Sequence, residues 1–220
     1  MSAPRALLFD FGGTLDADGL PWRERFLRLF AEETGRAPEG FDRAFYDADD
    51  ALVGAVPPDL SLEETVRRLA RGVADGLARP AAAPRVAERF LADARQALTV
   101  SREVLAGLAV RYRLGVVSNF YGNLEAVCRE AGLAPHLSAA VDSAVVGVEK
   151  PDPRIFTAAL AAVAAGPEEA VFVGDSLPRD MAGARGLGMA HVWVRSGPGS
   201  PCCPGDRVIG SVRDLPEVLG

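Results

Sequence analysis

Short apolar runs, each closed by glycine or polar turn residues, recur along the chain and set its framework. The first is ALLFDF (residues 6–11), which runs straight into Gly12 and Gly13, the pattern of a buried strand ending in a tight loop. Comparable runs are RLGVVSN (113–119), AAVDSAVVG (139–147), EAVFVGD (169–175) and MAHVWV (189–194), with a weaker one, DRVIG, at 206–210. Between them lie stretches with helical periodicity, at 101–111 with Ser101 as a cap, 122–132, 153–164 and 178–187. Short hydrophobic strands alternating with amphipathic helices predict βαβ units. The fold class is therefore α/β, a Rossmann-like parallel sheet covered on both faces.

One region breaks the alternation. Residues 16–97 hold no strand pattern but four helical ones, at about 21–35, 39–53, 61–78 and 84–97. The joints are marked by GRAP, VPPDLS and RPAAAP, and Ser61 ahead of LEETV reads as an N-cap with glutamates in the first turn. This divides the chain into an α/β core of residues 1–15 and 98–220 and a small helical domain, 16–97, inserted after the first strand.

Composition narrows the function. A formal net charge of −6 with no basic stripe disfavours nucleic acid as a partner. No apolar run approaches the ~20 residues that cross a bilayer, and the N-terminal apolar stretch is too short for a signal-peptide core, so the expectation is a cytoplasmic protein. Cys128 sits in an apolar-periodic segment as a small core residue. Cys202 and Cys203 lie in the loop GPGSPCCPGD without metal-ligand spacing, and that loop, from Gly197 to Gly205, reads as exposed. His136 and His191 lack a companion at ligand or triad spacing and read as structural. Lys150 is the only lysine in the chain, which marks a place where a compact ammonium serves and a planar guanidinium does not.

In an open parallel sheet, ligands gather at the carboxyl ends of the strands. The polar residues expected there are Asp10 with Gly12, Gly13 and Thr14; Ser118 and Asn119; Lys150 within EKPDP; and Asp175, Ser176 and Asp180. A carboxylate can attack an electrophile and form a covalent intermediate. Clustered carboxylates repel one another, and a hard divalent cation relieves that, with magnesium suited to oxygen ligands and phosphate. Lys150 supplies positive charge for a transferring phosphoryl group, and the Ser118 hydroxyl can hold its oxygens.

FDFGGTLD, VVSNF, the lysine of VEKPDPRIF, and VGDSLPRD stand in the order of the four motifs of the haloacid dehalogenase superfamily, which the chain resembles over nearly its whole length. The inserted helices resemble a cap of the first type, as in phosphoglycolate phosphatase-like and L-2-haloacid dehalogenase-like branches. The resemblance implies Asp10 as nucleophile, with Ser118 and Lys150 as its catalytic partners. Thr14, Ser118, Asn119 and Lys150 would contact substrate. Mg2+ would be held by Asp10, the Gly12 carbonyl and Asp175, with Ser176 and Asp180 behind them.

One position departs from the pattern. Phosphatases of the superfamily usually carry a second aspartate two residues after the nucleophile, where it protonates the leaving group and activates water; here that residue is Gly12. General acid–base help of this kind contributes about 10²–10⁴ in rate. Dehalogenases also lack that aspartate, but they work without metal and lack the carboxylate that Asp175 supplies. Phosphonoacetaldehyde hydrolases need a cap lysine, and this cap has none. Asp16 and Asp18 read as loop residues at the cap hinge, and Arg23 and Arg25 as parts of solvated helix faces. The expected function is a magnesium-dependent phosphatase of a small phosphorylated metabolite working through an aspartyl-phosphate on Asp10, slowed or altered at Gly12. The alternatives are a metal-free 2-haloacid dehalogenase-type hydrolase and a weakly active or non-catalytic homologue that binds a ligand or partner.

Overall fold

The computed structural model describes residues 4–197 and 207–219. Its centre is a six-stranded, wholly parallel sheet in the order β3-β2-β1-β4-β5-β6. The strands are β1 Ala6–Phe9, β2 Arg113–Ser118, β3 Ala139–Asp142, β4 Ala170–Gly174, β5 Ala190–Val194 and β6 Arg207–Ile209. Period-2 alternation divides their side chains between two cores. Leu7, Phe9, Val116, Val173 and Val192 belong to one core, whereas Leu8, Val117, Phe172 and Trp193 face the other, where Ile155, Phe156 and Leu160 complete it. The order reverses at β1, which lies between β2 and β4 with Phe9 level with both Val116 and Val173. Asp10 therefore leaves the sheet beside the ends of β2 and β4, at the switch point where such sheets open a crevice.

Residues 16–97 are helical as expected. The helices are α1 Trp22–Thr34, α2 Phe41–Asp50, α3 Leu62–Gly76 and α4 Ala83–Leu108. Ser61 caps α3, its hydroxyl accepting from the Glu64 N–H at 3.0 Å. Phe26 of α1 stacks on Phe90 of α4 with ring centroids 4.7 Å apart, and Phe41 and Phe45 of α2 extend that aromatic layer. Later helices are α5 Leu124–Glu130, α6 Ser143–Val146, α7 Pro153–Ala162, α8 Ala182–Gly186 and α9 Leu215–Leu219. Among the described residues no helix is long and apolar enough to cross a membrane.

Several expectations are corrected. The patterns at 84–97 and 101–111 are one continuous helix, because neither Gly nor Pro interrupts the chain between Arg85 and Ala106. Ser101 is consequently not a cap: it is buried in mid-helix, and its hydroxyl donates to the Leu15 carbonyl at 2.6 Å. The boundary placed between residues 97 and 98 falls inside this helix. The run 139–147 is a strand only to Asp142, whose carboxylate then accepts from the Ala144 N–H at 2.9 Å and starts α6, which ends at the left-handed Gly147. The stretch 178–187 is a wide turn, Leu177–Met181, followed by the short α8. Cys128 is buried as expected, while Cys202 and Cys203 lie outside the described residues, as does most of the loop that contains them.

Candidate active site

The loop after β1 is shaped by its own residues. Gly13 adopts φ +95°, and a Cβ there would lie 2.5 Å from an Asp175 carboxylate oxygen, so only glycine lets β1 and β4 deliver both aspartates together. Gly12 has another neighbour: its missing Cβ would lie 3.2 Å from Trp22 Nε1. Asp16 closes the loop from below. Its carboxylate accepts from the Gly13 N–H, from Trp22 Nε1 and from Arg25 Nη1, each at 2.7 Å.

Arg25 is thus a correction, since it does not lie on a solvated helix face. Asp16 and Arg25 are both buried, and Arg25 also donates to the Phe90 carbonyl at 3.1 Å and stacks over the Phe90 ring at 3.7 Å. Solvated-face patterning failed here because Arg25 lies one residue before Phe26, on the edge of the apolar stripe of α1. Arg23 does reach the surface, in an ion pair with Asp42.

The sheet edge gathers the remaining residues. Asp10 Oδ1 accepts from Ser118 Oγ at 2.9 Å and from Lys150 Nζ at 2.6 Å. Lys150 is buried and also pairs with Asp180 Oδ1 at 2.7 Å. Burial works against its charged form, but Asp10 and Asp180 outweigh burial, and the ammonium is held above its ordinary value. Asp180 is pushed up to about 6, chiefly by burial, with Lys150 opposing and Asp10 adding to the rise. Asp175 is raised well above the usual carboxylate range by burial and then by the charges of Asp10 and Asp180.

Two expected substrate contacts also hold other groups of the site. Thr14 is buried, and its hydroxyl donates to Asp175 Oδ1 at 2.9 Å, which orients the carboxylate. Asn119 clasps the Lys150 backbone, accepting from its N–H at 2.7 Å and donating to its carbonyl at 3.1 Å. Each of these hydrogen bonds fixes another group of the site. Ser176 sits behind the edge, its N–H donating to Asp180 Oδ2 at 3.0 Å. His191 lies within β5 and His136 in a short turn after α5, away from this cluster as expected.

The donor set suits a hard cation. Asp10, Asp175 and Asp180 each offer a carboxylate oxygen, all within 4.8 Å of one another, and a single ammonium opposes three carboxylates. Burial raises Asp175 and Asp180 most and the Asp10 charge adds to it, and a divalent ion would offset both effects. Asp180 stands within this carboxylate cluster while also bonded to Lys150, nearer the reacting groups than a purely supporting residue.

Above the edge opens a cavity of ≈ 490 Å³, of the size that holds a small metabolite. Asp10, Gly12, Ser118, Lys150 and Asp175 form its floor, and residues of α1, α2 and the loop after β2 its walls. The sequence alone did not single out the most telling wall residues, Asp49 and Tyr121. Tyr121 donates to Asp49 Oδ1 at 2.5 Å, and the Tyr121 carbonyl accepts from the Gly54 N–H at 3.0 Å. Burial pushes both groups up. A signal existed: Asp49 stands four and eight residues after Phe45 and Phe41, placing a carboxylate on the apolar face of α2.

A family model described as haloacid dehalogenase-like hydrolase matches residues 4–188. A phosphoserine phosphatase of Thermus thermophilus is 35% identical over 201 residues, which cover 89% of this chain and 64% of that relative, so this chain spans just under two-thirds of its length. Two solved structures share the fold. A HAD phosphatase from Thermococcus onnurineus aligns with a TM-score of 0.63 at 22% identity, covering 98% of each chain. A dehalogenase with an intermediate complex aligns with a TM-score of 0.68 at 20% identity, covering 100% of this chain and 98% of its own.

Proposed function

Because the chain belongs to the haloacid dehalogenase-like hydrolase family, we propose that it is a magnesium-dependent phosphatase of a small phosphorylated metabolite, with Asp10 as the nucleophile. The observation that carries this is the cluster of Asp10, Asp175 and Asp180 against one lysine on the floor of the cavity. A metal-free dehalogenase needs the nucleophile but not the Asp175 carboxylate that completes this cluster. The similarity to a phosphoserine phosphatase supports the same class, and a free, buried Cys128 is in keeping with the cytoplasm.

In this reading Asp10 Oδ2 attacks phosphorus while Oδ1 stays tied to Ser118 and Lys150. These two bonds fix the carboxylate's orientation, which converts binding into a productive approach. Lys150 and the Ser118 hydroxyl face the phosphoryl oxygens and offset charge as it develops. Asp10, Asp175 and the Gly12 carbonyl would hold the magnesium ion, which supplies charge neutralisation for the transferring group. Thr14 and Asn119 act at one remove, by holding Asp175 and Lys150. The helices of residues 16–97 would serve as a cap that admits substrate and then excludes bulk water.

The first test is hydrolysis of p-nitrophenyl phosphate and a panel of sugar and acid phosphates, with magnesium and with EDTA, beside Asp10→Asn. Magnesium-dependent turnover that disappears in the variant is the expected result. Halide release from 2-haloacids in EDTA would replace this function with dehalogenation, and ligand binding with no turnover would point to a non-catalytic homologue.

A further inference from the structure

Gly12 leaves the site without the acid–base group that phosphate ester cleavage calls on, and the space beside it is taken. Trp22 Nε1 stands 3.2 Å from where a Cβ at residue 12 would lie, and Trp22 is held there by Asp16 and by edge contacts with Phe90 and Phe120 at 5.0 and 5.9 Å. Any replacement must lie elsewhere on the cavity wall. In a phosphoryl transfer the attacking and leaving oxygens are roughly in line. Asp10 approaches from the sheet edge, so the leaving oxygen points away from the strands, towards the helices. Of the carboxylates that line the cavity, Asp10, Asp175 and Asp180 belong to the sheet edge and Glu24 is exposed. Asp49 of α2 remains. Its Oδ1 is fixed by Tyr121, and its Oδ2 has no hydrogen-bond partner among the described residues.

We propose that Asp49 is the general acid and base of this site, with Tyr121 as the residue that positions it; the inference rests on the phosphatase function above. Asp10 forms a bond to phosphorus and the bond from phosphorus to the ester oxygen breaks, its electron pair staying on that oxygen. The oxygen takes the proton from Asp49 Oδ2 and departs as an alcohol. Asp49, now a carboxylate, then accepts a proton from water as that water bonds to phosphorus. The bond to Asp10 breaks, inorganic phosphate leaves, and both carboxyl groups are restored. The environment of Asp49 favours keeping its proton: burial, Asp50 and Glu149 raise it, while the Tyr121 hydrogen bond and Arg179 pull the other way.

The test is kcat/KM of wild type, Asp49→Asn and Tyr121→Phe over phosphate esters whose leaving groups differ in basicity, from p-nitrophenyl phosphate through phenyl phosphate to glycerol phosphate. Asparagine retains the oxygen that accepts from Tyr121, so the contact between α2 and the loop after β2 survives in Asp49→Asn. The expected result is a loss of about 10²–10³ on glycerol phosphate and less than about 10 on p-nitrophenyl phosphate, whose leaving group needs no proton. Tyr121→Phe removes the bond that lowers Asp49, so the alkaline limb of the glycerol phosphate profile should move to higher pH. An equal loss across the series, or none, overturns the assignment while leaving the phosphatase function standing. Wild type inert towards every ester, in magnesium, overturns both.

Discussion

Two aspartates six residues apart bracket the first loop, and the structure treats them in opposite ways. Asp16 is fully compensated: one carboxylate meets one guanidinium, a backbone N–H and an indole N–H, all at 2.7 Å and all out of water. Asp10 is one of three carboxylates sharing a single ammonium, and its two companions are pushed up chiefly by burial, with the Asp10 charge adding to the rise. Both aspartates are buried, so burial does not tell them apart. What separates them is the balance of the neighbourhood. A satisfied group ties the loop to α1 and α4, whereas a surplus of charge is tolerated only where something is to be bound.

The contrast can be broken most sharply by removing one group from each side. Asp10→Asn should lower phosphatase turnover on the order of 10³-fold or more, as loss of a nucleophile does, with the thermal melt little changed. Arg25→Met should do the reverse, lowering stability by about 3–5 kcal/mol because Asp16 is left buried without its countercharge. Denaturant unfolding measures that loss, and turnover per folded molecule should stay near wild type. If Arg25→Met proved neutral in stability, the compensated half of the comparison would be wrong.

Smaller effects sharpen it. Gly12→Ala should cost about 1–3 kcal/mol, since its Cβ meets a Trp22 ring that is held on both sides. A double-mutant cycle with Trp22→Phe should show the two changes to be non-additive, which unrelated sites would not do. Asp175→Asn should raise the melting temperature of the metal-free protein, by about 2–4 °C per kcal/mol of repulsion relieved in a chain of this size, and abolish any stabilisation by magnesium. The pH response follows the same sign. Asp180 binds its proton more tightly in the folded protein, at about 6 against 3.8. The folded state therefore holds the extra proton between those values, and metal-free stability should fall as pH rises through that window.

Much of this was legible in the sequence because it depends on local order. The strand ends, Asp10, Ser118, Lys150 and Asp175 follow from apolar runs closed by polar residues, and the sheet brings them together as a parallel topology must. Asp16, Arg25 and Trp22 were not legible as a unit, because their partnership joins a loop to a helix face and an arginine pattern looks the same wet or dry. Asn119 and Thr14 were identified as site residues, but their hydrogen-bond partners within the protein, the Lys150 backbone and the Asp175 carboxylate, are set by how neighbouring strands abut. The continuity of α4 went unseen for a plainer reason: Ser101 has the chemistry of a cap, and only packing shows that its hydroxyl is already committed to Leu15.

That continuity makes the helical insertion unlike a detachable cassette. At ~1.5 Å per residue, the 26 residues of α4 form a splint rather than a linker. Its far end is stitched by Ser101 to the residue just before Asp16. The insertion joins the core at two seams, the turn at residues 16–21 and this helix. Exchanging it for the insertion of a relative would mean splicing within a helix and carrying its last turns across, so lineages that diversify here should vary the middle helices far more readily than the strut that bears them.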